Sequence, residues 1–344
     1  MKSGLVYDPI YLEHETGDHV ENPRRLSNTI SYLEETGTKE KLTCLTPRRA
    51  SLEELRMVHS PEYISGVQGR AEKGGGWLDG DTLLCRRSYE VALYAAGGVL
   101  IATEAVMKGE VDNAFALVRP PGHHAIYDQA MGFCIFNNVA IAARFALSMF
   151  DIQRLLIADF DVHHGNGTQD AFYSDPGVLY FSAHQYPFYP GTGWIDETGT
   201  GEGKGATVNV PMAAGWGDEQ YSRVFSEILA PVARRFQPQL ILVSAGFDAH
   251  WADHLAMMKA SVTGFAQTAR ILNELAAELC QGRLVFTLEG GYNLRVVAAS
   301  VKAVFDVLFG SSDIDDPLGV AAPRHFDGFE GHIAKVKRIH RLEE

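Results

Sequence analysis

The densest chemistry in the chain lies in Leu155-Leu-Ile-Ala-Asp-Phe-Asp-Val-His-His164, which starts apolar and finishes with Asp159, Asp161, His163 and His164. Strand side chains alternate between faces, so Asp159, Asp161 and His163 point the same way if the strand stays regular. A carboxylate and an imidazole two residues apart can then reach one ion, although so short a pattern is more often a polar strand end in solvent. A second segment, Leu240-Ile-Leu-Val-Ser-Ala-Gly-Phe-Asp248, delivers another carboxylate after an apolar run, where an unpaired buried charge would be costly. A cation shared by Asp161, His163 and Asp248 removes that cost. Three protein ligands leave a fourth position open, the arrangement of a catalytic rather than a structural zinc. Ferrous iron can use similar ligands.

Two further segments offer proton transfer and an electrophilic hydroxyl. Arg119-Pro-Pro-Gly-His-His-Ala125 ends a strand in a rigid turn and presents His123 and His124. Each imidazole needs an acceptor on its distal nitrogen, and Asp159 and Asn166 are the candidates; a carboxylate beside one and an amide beside the other separate the two pKa values. Leu284-Val-Phe-Thr-Leu-Glu-Gly-Gly-Tyr292 ends in a glycine pair that brings backbone close to a site and aims Tyr292, whose hydroxyl can donate to a developing oxyanion. Any one of these segments alone reads as solvated loop histidines or an ordinary aromatic. Their convergence at four strand ends carries the functional reading.

Positioning them requires strands that end together. Apolar runs at 113–119, 155–157, 178–181, 207–210, 240–243 and 284–288 read as buried strands, and the stretches 89–107, 139–149, 221–236 and 262–279 have helical spacing. This alternation predicts an α/β fold with a mostly parallel sheet, whose ligands gather beyond the carboxyl ends of the strands. With no repeat, low-complexity stretch or Pro/Ser-rich linker, one domain over 1–344 is expected, with a peripheral tail from about 311. The 30 Lys and Arg against 43 Asp and Glu give a net charge of −13, which argues against general nucleic-acid binding and suits cationic peptides or amines. Cys44, Cys85, Cys134 and Cys280 form no CxxC pair and read as reduced cytoplasmic thiols. The N-terminus has no signal-peptide pattern, and no uncharged apolar run approaches the ~20 residues of a membrane span. A soluble cytoplasmic protein of open oligomeric state is the expectation.

Taken in order, RPPGHHA, GFCIFNN, DFDVHHGNGTQD, SAGFDA and LEGGY resemble the zinc-dependent histone deacetylases and acetylpolyamine amidohydrolases of the arginase/deacetylase superfamily, over roughly Leu5 to Leu308. The resemblance implies a three-layer fold around an eight-stranded parallel sheet, zinc on Asp161, His163 and Asp248, and deacetylation in which zinc-bound water attacks an acetyl carbonyl and acetate is released. It makes His124 the general base and then acid, gives His123 a charge-supporting role, and sets Tyr292 and the metal on the oxyanion. It also implies potassium at Asp159, Asp161, His163, Ser182 and the backbone of Ala183. Asn166 in HHGNG is similar to the class II pattern, so a class II-like, bacterial-type member is expected.

The same resemblance walls an acyl-lysine tunnel with Phe133 and Tyr189, places Gly132 in its floor, and brings Asp81, with Asp79 as the alternative, to the mouth to accept amides of a peptide. Leu255 stands where polyamine-selective relatives place a Glu, so acetyl-lysine is favoured over acetylpolyamine, other acyl groups remaining open. His250 and His254 are expected at the rim, and Arg25 along an acetate exit. A dimanganese arginase-like hydrolase needs a carboxylate where the chain has Gly165, and a catalytically silent acetyl-ligand binder would lack a ligand or the tyrosine.

Overall fold

The computed structural model describes residues 2–322 and 328–342. In chain order the strands are β1 (Ser3–Val6), β2 (Thr43–Leu45), β3 (Gly75–Trp77), β4 (Leu83–Cys85), β5 (Asn113–Ala116), β6 (Leu155–Asp159), β7 (Val178–Gln185), β8 (Thr207–Met212), β9 (Ile241–Ala245) and β10 (Leu284–Leu288). The helices are α1 (Arg24–Glu35), α2 (Leu52–Leu55), α3 (Pro61–Glu72), α4 (Ser88–Met107), α5 (Asn138–Met149), α6 (Asn166–Phe172), α7 (Asp218–Val224), α8 (Ala230–Phe236), α9 (Val262–Leu279), α10 (Leu294–Leu308) and α11 (Phe329–Ile339). Eight strands form one sheet in the order β2-β1-β5-β10-β9-β6-β7-β8, every pair parallel. All of these strands except the edge strand β2 are buried on both faces, as a parallel sheet covered by helices demands.

The apolar runs become strands because their branched and aromatic side chains pack on both sheet faces. Phe115 of β5 stacks on Phe286 of β10 at 5.8 Å, and each such fully buried ring stabilises the fold by roughly 1.5–3 kcal/mol. Helix starts follow capping chemistry: Asn137 accepts from Ala140 N at α5, Ser261 from Gly264 N at α9, and Asn293 from Arg295 N and Val296 N at α10.

Several expectations are corrected. The strand expected over 113–119 stops at Ala116, ahead of the Pro120-Pro121 turn. The helix expected over 221–236 is α7, a π-helical turn at Phe225–Leu229, and α8, because Pro231 has no N–H to continue an α ladder. The helix α4 is 20 residues long and, by length and composition, apolar enough to cross a membrane although Glu90 and Glu104 interrupt it, and 72% of its most apolar window is buried. It packs on α5 and β5 as a core helix.

Parts of the expected tail, 323–327 and 343–344, lie outside the described residues. The described part of it packs on the body of the fold: Phe329 meets Trp216 edge to face at 4.9 Å, and Lys337 pairs with Glu227.

Candidate metal centre and catalytic cluster

The four central strands β5, β10, β9 and β6 are neighbours in that order, and each runs into one chemical segment: His123–His124, Glu289–Tyr292, Asp248 and Asp159–His163. Strand alternation does not align Asp159, Asp161 and His163, because β6 ends at Asp159. The chain bends instead, and each carboxylate captures a backbone amide two residues on: Asp159 Oδ1 accepts from Asp161 N (3.1 Å) and Asp161 Oδ1 from His163 N (2.9 Å).

Asp161, His163 and Asp248 offer ligand atoms all within 4.8 Å of one another. His163 Nδ1 faces both carboxylates, 3.1 Å from Asp161 Oδ1 and 3.3 Å from Asp248 Oδ2. Each carboxylate also has an oxygen fixed by backbone: Gly290 N donates to Asp161 Oδ2 (2.7 Å) and Val162 N to Asp248 Oδ1 (3.0 Å). Asp248 Oδ2 is buried with no aligned hydrogen-bond donor among the described residues. Glycines make room for this crowding: a Cβ at Gly246 would strike Asp161, and one at Gly290 would strike both carboxylates. An orphaned oxygen, a second carboxylate and an imidazole nitrogen turned to one point fit a zinc-sized cation.

Electrostatics agree with that fit. Burial pulls the His163 pKa down, but its closeness to the Asp161 and Asp248 carboxylates outweighs this and raises it to about 10. Burial and then the Asp161 charge push Asp248 up to about 6. Two carboxylates crowded against one imidazole leave negative charge that a divalent cation neutralises.

The two adjacent histidines have unlike partners. His123 Nδ1 lies 3.1 Å from Asp159 Oδ2, and His124 Nδ1 lies 2.8 Å from Asn166 Oδ1. Burial lowers the His123 pKa, but the charges of Asp161 and Asp159 overcome it and lift it to about 10. His124 is driven well below the usual imidazole range, by burial first and then by the charges of His123 and His163. The pair is therefore split into a cationic and a neutral imidazole, and the neutral one donates through Nδ1 and keeps Nε2 free to accept a proton.

Tyr292 is buried, with the Arg25 guanidinium 5.1 Å from its ring centroid. Its ring meets Phe133 perpendicularly at 5.7 Å, while Tyr189 stands edge-on to His124 at 5.1 Å. Phe133 and Tyr189 thus border the cluster through different members. Gly132 has φ +57°, and a Cβ there would strike the His124 ring. Asp81 is half-buried and its Oδ1 accepts from Gly132 N (3.2 Å) and the Thr82 hydroxyl (3.2 Å), which ties it to the loop that carries Phe133. Leu255 is half-buried, its N–H on Asp253 Oδ1. The expected rim histidines separate: His254 is exposed, whereas His250 is buried and accepts from Ala252 N. Asp159 pairs in register with Ser182, whose hydroxyl bonds His184 Nδ1. Arg25 is fully buried and donates to Gly291 O (2.6 Å) and Glu289 O.

Sequence reasoning missed four participants. Glu289 accepts from Gly122 N (2.7 Å), His123 N (3.2 Å) and the Ser244 hydroxyl (3.2 Å), and so holds the histidine turn. It follows an apolar strand as Asp248 does, and the same cost of an unpaired buried charge would have found it. Together with His123 and Cys134 it forms a second close cluster of ligand-type residues. That cluster does not fit a metal, because burial pushes the Cys134 thiol up and away from the thiolate form that binds an ion. Phe188, stacked on His163 at 5.3 Å, Glu21, which binds both Arg119 and Arg25, and Asp253 carried no local signal.

Residues 19–308 match the histone deacetylase domain family. The chain is 43% identical to a probable deacetylase of Archaeoglobus fulgidus, over 99% of this chain and 98% of that protein. It is 41% identical to histone deacetylase 10, chloroplastic, of Oryza sativa subsp. japonica, over 96% of this chain and 79% of that one. A crystal structure of the HDA15 HD domain superposes with a TM-score of 0.90 at 35% identity, covering 98% of this chain and 94% of that chain. The sheet order, the shared segments and these likenesses lead to one conclusion: the chain belongs to the histone deacetylase domain family and is a metal-dependent deacetylase.

Proposed function

We propose that the chain hydrolyses the side-chain amide of N-acetyl-lysine in proteins or peptides, with zinc held by Asp161, His163 and Asp248. The observation that supports this most is the buried Asp161–His163–Asp248 group, with its orphaned Asp248 Oδ2, lying beside a neutral His124. Zinc bound there supplies Lewis acidity toward the acyl carbonyl and makes water acidic near neutral pH. His124 Nε2 takes the proton of the attacking water and returns it to the leaving amine, while Asn166 fixes its tautomer through Nδ1. His123, held cationic by the charges of Asp161 and Asp159, offsets the negative charge that develops, and the Tyr292 hydroxyl donates to the oxyanion. A potassium ion at Asp159, Asp161, His163, Ser182 and the Ala183 backbone belongs to the same reading, supported by the register of β6 and β7. One domain and a cytoplasmic setting complete it, the latter supported by four free cysteines.

The aromatic rings of Phe133 and Tyr189 suit an aliphatic lysine stem, and Leu255 offers no charge partner for a distant ammonium. The net charge of −13 favours a second reading, an acetylated polyamine. The deciding experiment compares kcat/KM for acetyl-lysine peptides, acetylated polyamines and longer acyl-lysines on the zinc-loaded protein. The acetyl-lysine peptide is expected to lead, and a preference of about tenfold, ~1.4 kcal/mol, for acetylspermidine would replace the first reading with the second.

A further inference from the structure

The Tyr292 hydroxyl can act only if its ring is held, yet the two residues before it are glycines, which supply no side-chain anchor of their own. Gly290 and Gly291 have no side chains, and Gly291 sits at φ +107°, where an L side chain would be strained. Two charged groups grip this turn from different parts of the chain. Arg25, already described, takes carbonyl oxygens on the near side of Tyr292. On the far side, the carboxylate of Asp253 accepts two consecutive amides through Oδ2, Tyr292 N at 2.7 Å and Asn293 N at 2.8 Å. Its Oδ1 accepts Leu255 N at 3.0 Å, and the Asn293 side chain returns a bond to Ala252 O at 2.9 Å.

Asp253 is 6% exposed and lies five residues beyond Asp248. Charge-assisted bonds to adjacent amides fix a peptide plane more firmly than neutral ones, and the plane between Tyr292 and Asn293 sets the direction in which the tyrosine leaves the backbone. The carboxylate itself is committed to three backbone amides on two loops, one of which carries Asp248 and the other Tyr292. We propose that Asp253 is the positioning residue for Tyr292, the group that locks the oxyanion donor to the loop carrying Asp248. This rests on the reading of Tyr292 as that donor.

The test is a double-mutant cycle on the zinc-loaded protein. Asp253→Asn keeps the volume and one acceptor but loses the charge. It should retain zinc affinity and KM while kcat falls about 30-fold, the scale of a sub-ångström misplacement of a catalytic group. In a Tyr292→Phe background the same change should cost less than about twofold, because the hydroxyl it positions is gone. In a crystal structure of Asp253→Asn the Tyr292 ring should leave its perpendicular contact with Phe133 while Asp161, His163 and Asp248 stay in place. Equal losses in both backgrounds, zinc affinity falling in step with kcat, or an unmoved Tyr292 ring would each overturn the role of Asp253 alone. A Tyr292→Phe protein with full turnover would instead remove the reading of Tyr292 and this inference with it. If the Asn variant does not fold, Asp253→Glu, which keeps the charge but displaces the carboxylate, enters the same cycle with the same outcomes.

Discussion

Two buried charged clusters, linked through Arg25, which donates to Glu21 in one and to the Glu289 and Gly291 carbonyls beside the other, differ in how their charges are met. Around Glu21, Arg119 donates twice to the carboxylate (2.9 and 2.8 Å) and Arg25 once (3.2 Å), and the remaining Arg119 donors take Tyr11 O and His14 O. His14, lowered to about 3 by burial and then by Arg119, stays neutral beside them. Around Asp248, two carboxylates share one imidazole, and an oxygen is left without a donor. The first cluster is complete within the protein and acts as scaffold. The second is short of positive charge, and that deficit is what marks it as a place for an ion. Burial and charge content alone do not tell the two apart; the accounting of each donor and acceptor does.

The sharpest way to break this contrast is to substitute at both clusters. Asp248→Ala is expected to lose zinc and turnover to the detection limit while the fold survives. An equivalent of zinc retained in metal analysis, with activity within about tenfold (~1.4 kcal/mol) of wild type, would mean that the deficit is not a metal site. Glu21→Ala should act first on stability, since removing one partner of a buried ion cluster costs about 3–5 kcal/mol, and should keep zinc. A urea titration of the two variants checks the ordering, and equal midpoints would erase the distinction between scaffold and site. A smaller effect concerns pH. Burial opposes ionisation of Glu21, but Arg119 and then Arg25 outweigh it and hold the carboxyl well below its ordinary 4.5. A depressed carboxyl contributes stability that is fully present above the unfolded value and is lost as pH falls toward the folded one. Between pH 5 and pH 3 the wild type should therefore lose stability more steeply than Glu21→Gln, and parallel curves would show that the charge of Glu21 is not held by its arginines.

Much of the sheet could be read because its strands are apolar on both faces and end in polar residues; β10 at 284–288 and α9 at 262–279 match the expected spans. β1, with a glycine in four residues, and β2, three residues on a sheet edge, carry too little pattern to stand out. The segments that meet at the site are visible as motifs, but their adjacency comes from β9 and β10 entering between β6 and β5, an order that no local periodicity encodes. Glu289 went unassigned although its physics equals that of Asp248. Asp253 lies in a loop without an apolar run, so its commitment to Tyr292 N is visible only in three dimensions.

That late insertion also sets when the site can form. β5 pairs with β10 through Asn113 and Leu284, and β6 with β9 through Leu156 and Ile241, so the cluster is closed by contacts far apart in sequence. Such pairings carry a large loop-closure cost and form slowly. A nascent chain that has already supplied Asp161, His163 and Asp248 still lacks the strand that joins β5 to β9, and the Gly290 amide that fixes Asp161. Assembly of the metal centre therefore reports that the last central strand has docked, and a ribosome-stalled chain ending before Leu284 should hold all three ligands and no site.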